Sequence, residues 1–173
     1  PIFLAVSGDV FTDYDYTRLH VKAAQMTHHA NPQMHLVMVP NPEFHPQGDF
    51  ILCGEQLYLE MPAVQNEPAV SLTFGNIGLY DVREFESIVA GEKVAMGPLY
   101  QKSIAHGFAT GELFTGVWEN VGTPAQLEQL NLQLRRLPAA VDHQGARLGL
   151  ATAFRQAIGI PCNPARRHNT ATI

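Results

Sequence analysis

Cysteine is scarce. Cys53 and Cys162 are the only two in 173 residues, far apart and in no spacing that a metal site uses. A disulfide-built secreted scaffold and a cysteine-based zinc site are thereby excluded, and a reduced, cytoplasmic setting is expected. Positive charge is scarce as well: eleven Lys and Arg stand against sixteen Asp and Glu, for a net charge of -5. Basic pairs occur only at Arg135-Arg136 and Arg166-Arg167. Nucleic acid needs many cations on one face to neutralise its phosphates, so no nucleic-acid partner is expected. Long apolar runs are missing too. Nothing approaches the ~20 residues of a membrane helix, and no basic-then-apolar signal segment opens the chain, so no membrane partner is expected.

Several catalytic signatures are also missing. There is no Gly-x-Ser-x-Gly elbow for a serine nucleophile, and neither a Gly-x-Gly-x-x-Gly nor a Gly-x-x-x-x-Gly-Lys loop to cradle phosphates. The eight histidines include no i, i+4 pair with a nearby Glu, the arrangement a zinc helix requires.

What is present is a foldable chain. Hydrophobic residues make up 46% and charged residues 16%, enough apolar content for a core, at a length that fits one domain or a little more. The apolar run Phe3-Leu4-Ala5-Val6 stops at Ser7-Gly8-Asp9, which reads as a buried strand delivering a carboxylate to a sheet edge. A carboxylate there suits a hard divalent cation that in turn holds phosphate oxygens. Gly-Asp after a strand is equally good turn chemistry. Asp13 or Asp15 can cap a helix from about Tyr16 to Thr27, and Met34 to Val39 reads as a strand covered on both faces. The loop from Pro40 to Asp49 carries three prolines and a glycine, so it is irregular. Phe50 to Glu60 reads as a hairpin around Gly54-Glu55. Val70 to Tyr80 is a long strand whose Gly75 and Gly78 mark a bulge or a close approach of backbone or ligand.

Further on, Asp81 is expected to cap a short helix from Val82 to Ala90, and Pro98 to His106 to form another. Phe108 to Val117 reads as strands around Gly111-Glu112. Trp118 to Asn120 ends a strand, and Thr123-Pro124 opens an amphipathic helix carrying Leu127, Leu130 and Leu134. Residues 138–173 lack periodicity and read as an atypical, partly disordered tail after a domain spanning 1–137. The two strand-to-turn corners, Gly8-Asp9 and Trp118-Glu119-Asn120, could flank one Mg²⁺. Strand alternation would aim Glu119 away from Asn120. Asp13-Tyr14-Asp15 has the spacing of a glycosyltransferase Asp-x-Asp motif but lies beyond the strand end, in a cap position.

The succession LAVSGDVFTDYDYTRL, LVMVPNPEFHPQGDFIL, LTFGNIGLYDVREF and PLYQKSIAHGFATGELFTGVWENVGTPAQLEQLN resembles the later part of bacterial sugar-1-phosphate nucleotidyltransferases. The resemblance is strongest to the N-acetylmuramate-1-phosphate uridylyltransferase-like and mannose-1-phosphate guanylyltransferase-like group. It covers residues 1–137 in consistent order. It implies an α/β fold, part of a doubly wound, Rossmann-like nucleotide-diphospho-sugar transferase sheet. It also implies reaction of an NTP (UTP or GTP) with a sugar-1-phosphate, Mg²⁺ as cofactor, and release of pyrophosphate. Asp9 matches the family's metal-binding Asp, with Gly8 beside the substrate. Asn120 stands where many members carry a second metal Asp, and Thr73, Gly75 and Asn76 fall on the sugar-pocket stretch, with Glu112 a further candidate. The family's opening Gly-rich loop with Arg, and the Pro-Lys motif after it, match nothing in the chain. The chain is therefore expected to be a fragment whose amino-terminal nucleotide-binding half is missing, with Phe3 to Val10 as a central strand. It is expected to be inactive and marginal in stability alone. Asn120 also motivates an alternative, a catalytically inactive sugar-phosphate-binding or regulatory domain.

Overall fold

The computed structural model describes residues 1–63 and 67–136; the expected tail, 138–173, lies outside the described residues. In residues 1–120 the elements run β1 (Ile2–Val6), β2 (Val10–Thr12), a 3-10 turn (Tyr16–Arg18), α1 (Leu19–Thr27), β3 (Met34–Val39), β4 (Phe50–Cys53), β5 (Gln56–Tyr58) and β6 (Ala69–Asp81). A second 3-10 turn (Val82–Phe85), α2 (Gly97–Ala105), β7 (Ala109–Leu113) and β8 (Trp118–Asn120) follow. Six strands form one mixed sheet in the order β1-β6-β3-β7-β5-β4, and β2 and β8 form a separate pair. β6 runs antiparallel to β1, β3 and β4, whereas β3 and β7 are parallel. β1 is the edge strand of this sheet among the described residues and is largely exposed, so the buried strand expected at Phe3 to Val6 is not what forms: it pairs with β6 alone.

β3 is buried along its whole length, and its period-2 alternation sends side chains into two cores. Met34, Leu36 and Met38 pack with Leu57, Leu72, Tyr80 and Ile104 of α2. Val37 and Val39 pack with Ile77 and Leu79 and with Leu19 and Met26 of α1. One helix on each face of a strand buried on both sides is the mixed α/β arrangement that the near-continuous apolar run of β3 requires. Among the described residues no helix is long and apolar enough to cross a membrane.

Local chemistry accounts for the boundaries. Asp15 accepts a hydrogen bond from Thr17 N and starts the first turn. Asp81 accepts from Arg83 N, but the turn it opens ends at Phe85. The expected helix to Ala90 does not form, since Ser87 and Val89, weak helix formers, sit just ahead of Gly91, which takes φ +90. β7 runs straight through Gly111-Glu112 in parallel register with β3, so the expected break there is absent. Ala109 and Gly111 are small enough to lie against β3 and Leu57. β1 ends at Val6 rather than running to Val10, because Gly8-Asp9 turns the chain into β2.

Residues 121–136 are best taken by themselves. They contain α3 (Pro124–Arg136), whose first turn is capped by Thr123: its hydroxyl accepts from Gln126 N at 3.2 Å.

Candidate active site

The irregular half of β6 organises the site. Leu36 pairs with Gly78 and Met38 with Phe74, so Gly75, Asn76 and Ile77 oppose a single β3 residue, Val37. Such a bulge re-aims side chains. Asn76 takes φ 56, the one non-glycine positive φ among the described residues, a conformation Asn tolerates better than most. Gly75 meets the sequence expectation of close approach, but the approach is internal. A Cβ there would lie 3.0 Å from Val37 O and 3.1 Å from Val39 Cγ1, so Gly75 is packed against β3 and its carbonyl accepts the Trp118 indole N–H at 2.8 Å.

The Gly8-Asp9 corner hangs on the same bulge. Ser7 N donates to Asn76 O at 3.1 Å, and Val10 N donates to Ser7 O at 3.4 Å, closing a turn with Gly8 and Asp9 at its tip. β2 then pairs with β8 in the register Val10↔Asn120, so Asp9 stands one residue from Asn120's partner. Asp9 is exposed. Asn120 Oδ1 is buried without a hydrogen-bond partner among the described residues. The topology thus gathers Gly8, Asp9, Asn76 and Asn120 where β1 ends, the position at which open α/β sheets bind ligands.

A cleft of about 500 Å³ opens beside them, lined by Phe44, Asp49, Phe50, Thr73, Phe74, Asn76, Gly97, Tyr100, Gln101, Trp118 and Asn120. Thr73, Asn76 and Asn120 are sequence-expected residues. Thr73 is buried, and its hydroxyl donates to Asn41 Oδ1 at 3.0 Å. Asp49 was not foreseen. One of its oxygens accepts from Phe74 N at 2.8 Å and the other lies 3.1 Å from His45 Nε2, so the proline-rich loop delivers a fixed carboxylate to the cleft wall. Tyr100 meets the Tyr80 hydroxyl at 3.1 Å, and burial pushes its phenol above the ordinary range. Aromatic walls with a few amide and carboxylate groups suit a polyhydroxylated ring, whose C–H faces pack on the aromatics while its hydroxyls pair with the polar groups.

Glu112 is elsewhere. It does not line this cleft, and its carboxylate accepts from the Tyr14 hydroxyl, with Arg18 Nη2 at 3.6 Å and His35 Nε2 at 4.0 Å. Burial pushes its carboxyl upward, but the neighbouring His35 ring, the Tyr14 hydroxyl and Arg18 outweigh that and hold it below the usual range.

The donors at the corner fit a hard divalent cation. Asp9 offers a carboxylate, and Asn120 offers an amide oxygen that nothing among the described residues satisfies. No group of three or more His, Cys, Asp or Glu side chains gathers to hold a metal among the described residues, so phosphates and water would complete its shell.

No family model matches the chain. Comparison with known proteins gives 33% identity over 131 residues with the N-acetylmuramate alpha-1-phosphate uridylyltransferase of Neisseria meningitidis serogroup B, over 73% of this chain and 52% of the relative. A Bacillus anthracis protein described as a glucose-1-phosphate thymidylyltransferase, solved in complex with a sucrose, superposes with a TM-score of 0.54 at 15% identity. That match covers 80% of this chain and 56% of the other. The chain spans about half the length of the curated relative it matches. Over that half the chain is similar in sequence to this uridylyltransferase, and its fold is like that of the Bacillus anthracis structure.

Proposed function

We propose that this chain is the sugar-phosphate- and metal-handling portion of a nucleotidyltransferase that makes an NDP-sugar from an NTP and a sugar-1-phosphate. The observation that carries the reading is the convergence of Asp9, Asn76 and Asn120 at one strand end, beside the aromatic-walled cleft. The phosphate oxygen of the sugar-1-phosphate attacks the α-phosphorus of UTP or GTP, a new P–O bond forms in line, and pyrophosphate leaves.

The chain's own residues position the nucleophile. Trp118, Phe74 and Tyr100 supply flat apolar faces for the sugar ring, while Asn76, Asp49 and Gln101 pair with its hydroxyls. Asp49, already clamped by Phe74 N, is preorganised, which lowers the ordering cost of binding. Asp9 and Asn120 would hold Mg²⁺, whose chemistry is to neutralise the phosphates as charge moves onto the leaving group. Residues 1–137 carry this role. The groups that grip the NTP are proposed to come from outside these 173 residues, so the isolated chain binds sugar phosphate without turnover.

The test is pyrophosphate release from UTP or GTP and a sugar-1-phosphate by the longest gene product containing this chain. Asp9→Asn should abolish it, and undiminished release would show that Asp9 does not hold the metal. The amide at Asn120 favours a second reading, a sugar-phosphate-binding regulatory domain. Under that reading the unaltered protein binds sugar phosphate without releasing pyrophosphate, and Asn120→Asp restores release.

A further inference from the structure

We propose that Glu112, acting through Tyr14 and Arg18, is a positioning residue that fixes the register of β2 against β8 and so sets Asp9 beside Asn120 for a divalent cation. This inference rests on the metal reading above and departs from Glu112 as a sugar contact.

β2 and β8 pair over only three residues, Val10↔Asn120, Phe11↔Glu119 and Thr12↔Trp118. A two-stranded ladder has little stability of its own, and a one-residue slip turns every side chain to the other face. Such a slip would carry Asp9 away from Asn120. The register is pinned at the opposite end. Asp13 N donates to Val117 O at 3.2 Å, Val117 N donates to Asp13 Oδ1 at 2.8 Å, and the Thr12 hydroxyl donates to Val117 O at 2.7 Å. Tyr14 N in turn donates to Thr12 Oγ1 at 3.1 Å.

Tyr14 connects this clasp to the large sheet. Its side chain is 4% exposed, packed edge-on against Phe114, and its hydroxyl donates to Glu112 on β7. Arg18 stacks its guanidinium 5.6 Å from the Tyr14 ring centre and approaches the same Glu112 oxygen. Hydrogen bonds to an ionised acceptor are among the stronger kinds, so one half-buried carboxylate ties a marginal ladder to a rigid sheet. Burial and the adjacent Glu112 both hold the Tyr14 phenol above its ordinary range, which keeps its proton available for this bond.

The test is titration of the ¹⁵N-labelled chain with MnCl₂, reading paramagnetic broadening of the Gly8, Asp9, Val10 and Asn120 amides. Tyr14→Phe and Glu112→Ala should each raise the Mn²⁺ concentration for half-broadening about fivefold, the equivalent of one hydrogen bond. The double variant should lose no more than either single one, since both remove the same link. Glu112→Gln keeps an acceptor for Tyr14 and should return close to wild type. Unchanged broadening in Tyr14→Phe, additive losses, or a Gln variant as impaired as Ala would overturn the inference. If Glu112→Ala does not fold, Tyr14→Phe decides alone, because it keeps the ring on Phe114. A wild-type chain showing no site-specific broadening would remove the metal reading itself, and this inference with it.

Discussion

Asn76 combines two roles that substitution can separate. Its backbone holds φ 56 in the bulge, and its side chain lines the cleft. A residue with a Cβ in the left-handed region costs about 1–2 kcal/mol, a cost Asn reduces and Gly avoids. Asn76→Ala should therefore destabilise the chain by about 1 kcal/mol, about 3–5 °C in melting temperature for a domain of this size. Asn76→Gly relieves the strain but frees the unfolded chain by about 0.5–1 kcal/mol, so its stability should stay near wild type. Urea unfolding read through Trp118, the only tryptophan in the sequence, measures both. Binding should not follow stability: both variants remove the amide from the cleft and should weaken a sugar-1-phosphate alike. An Asn76→Gly variant that binds like wild type would reduce Asn76 to a conformational role. An Ala variant as stable as the Gly variant would refute the strain reasoning.

Other outcomes follow from the same geometry. Gly75→Ala places a methyl against Val37 O and Val39 and should destabilise by about 1–3 kcal/mol, with a shifted Trp118 emission because the indole is bonded to Gly75 O. Asp49→Ala leaves Phe74 N without its acceptor and should cost about 1 kcal/mol together with sugar-phosphate affinity, whereas Asp49→Asn should retain most of the stability. The hydrogen bonds from Arg83 hold Asp81 below the usual carboxylate range, and Glu112 is held low as well. Carboxylates depressed in the folded state contribute stability above their unfolded value, about 4, and lose it as pH falls through their folded values. Denaturation midpoints should thus hold near neutrality and fall below about pH 4. In Arg83→Ala the Asp81 share of that fall should shrink to what the backbone N–H of residue 83 still supplies.

How far the sequence reached depended on how local each signal was. Asp15, Asp81 and Thr123 were legible as caps because a cap is written in the residues beside it, and β3 because the near-continuous apolar run Met34–Val39 fits a strand covered on both faces. The β2–β8 ladder was not legible. Three-residue strands have no period, and their pairing joins positions more than a hundred residues apart. Asp49 was hidden for a similar reason: its value lies in the Phe74 N–H it meets across the fold, while its own neighbours only announce a loop. Gly75 was noticed correctly as a close approach, yet sequence could not say that its neighbours are Val37 and Val39. Glu112 drew attention beside a glycine, and only the fold shows it half-buried and engaged by Tyr14 and Arg18, apart from the cleft.

The most direct test of the site is a fluorescence titration of this chain with a sugar-1-phosphate, with and without Mg²⁺, since Trp118 lines the cleft. The expected result is a saturable change in Trp118 emission that Mg²⁺ strengthens and that Asp9→Asn reduces to the Mg²⁺-free level. No saturable change, or one that neither Mg²⁺ nor Asp9→Asn alters, would contradict the assignment of a sugar-phosphate and metal site at this strand end.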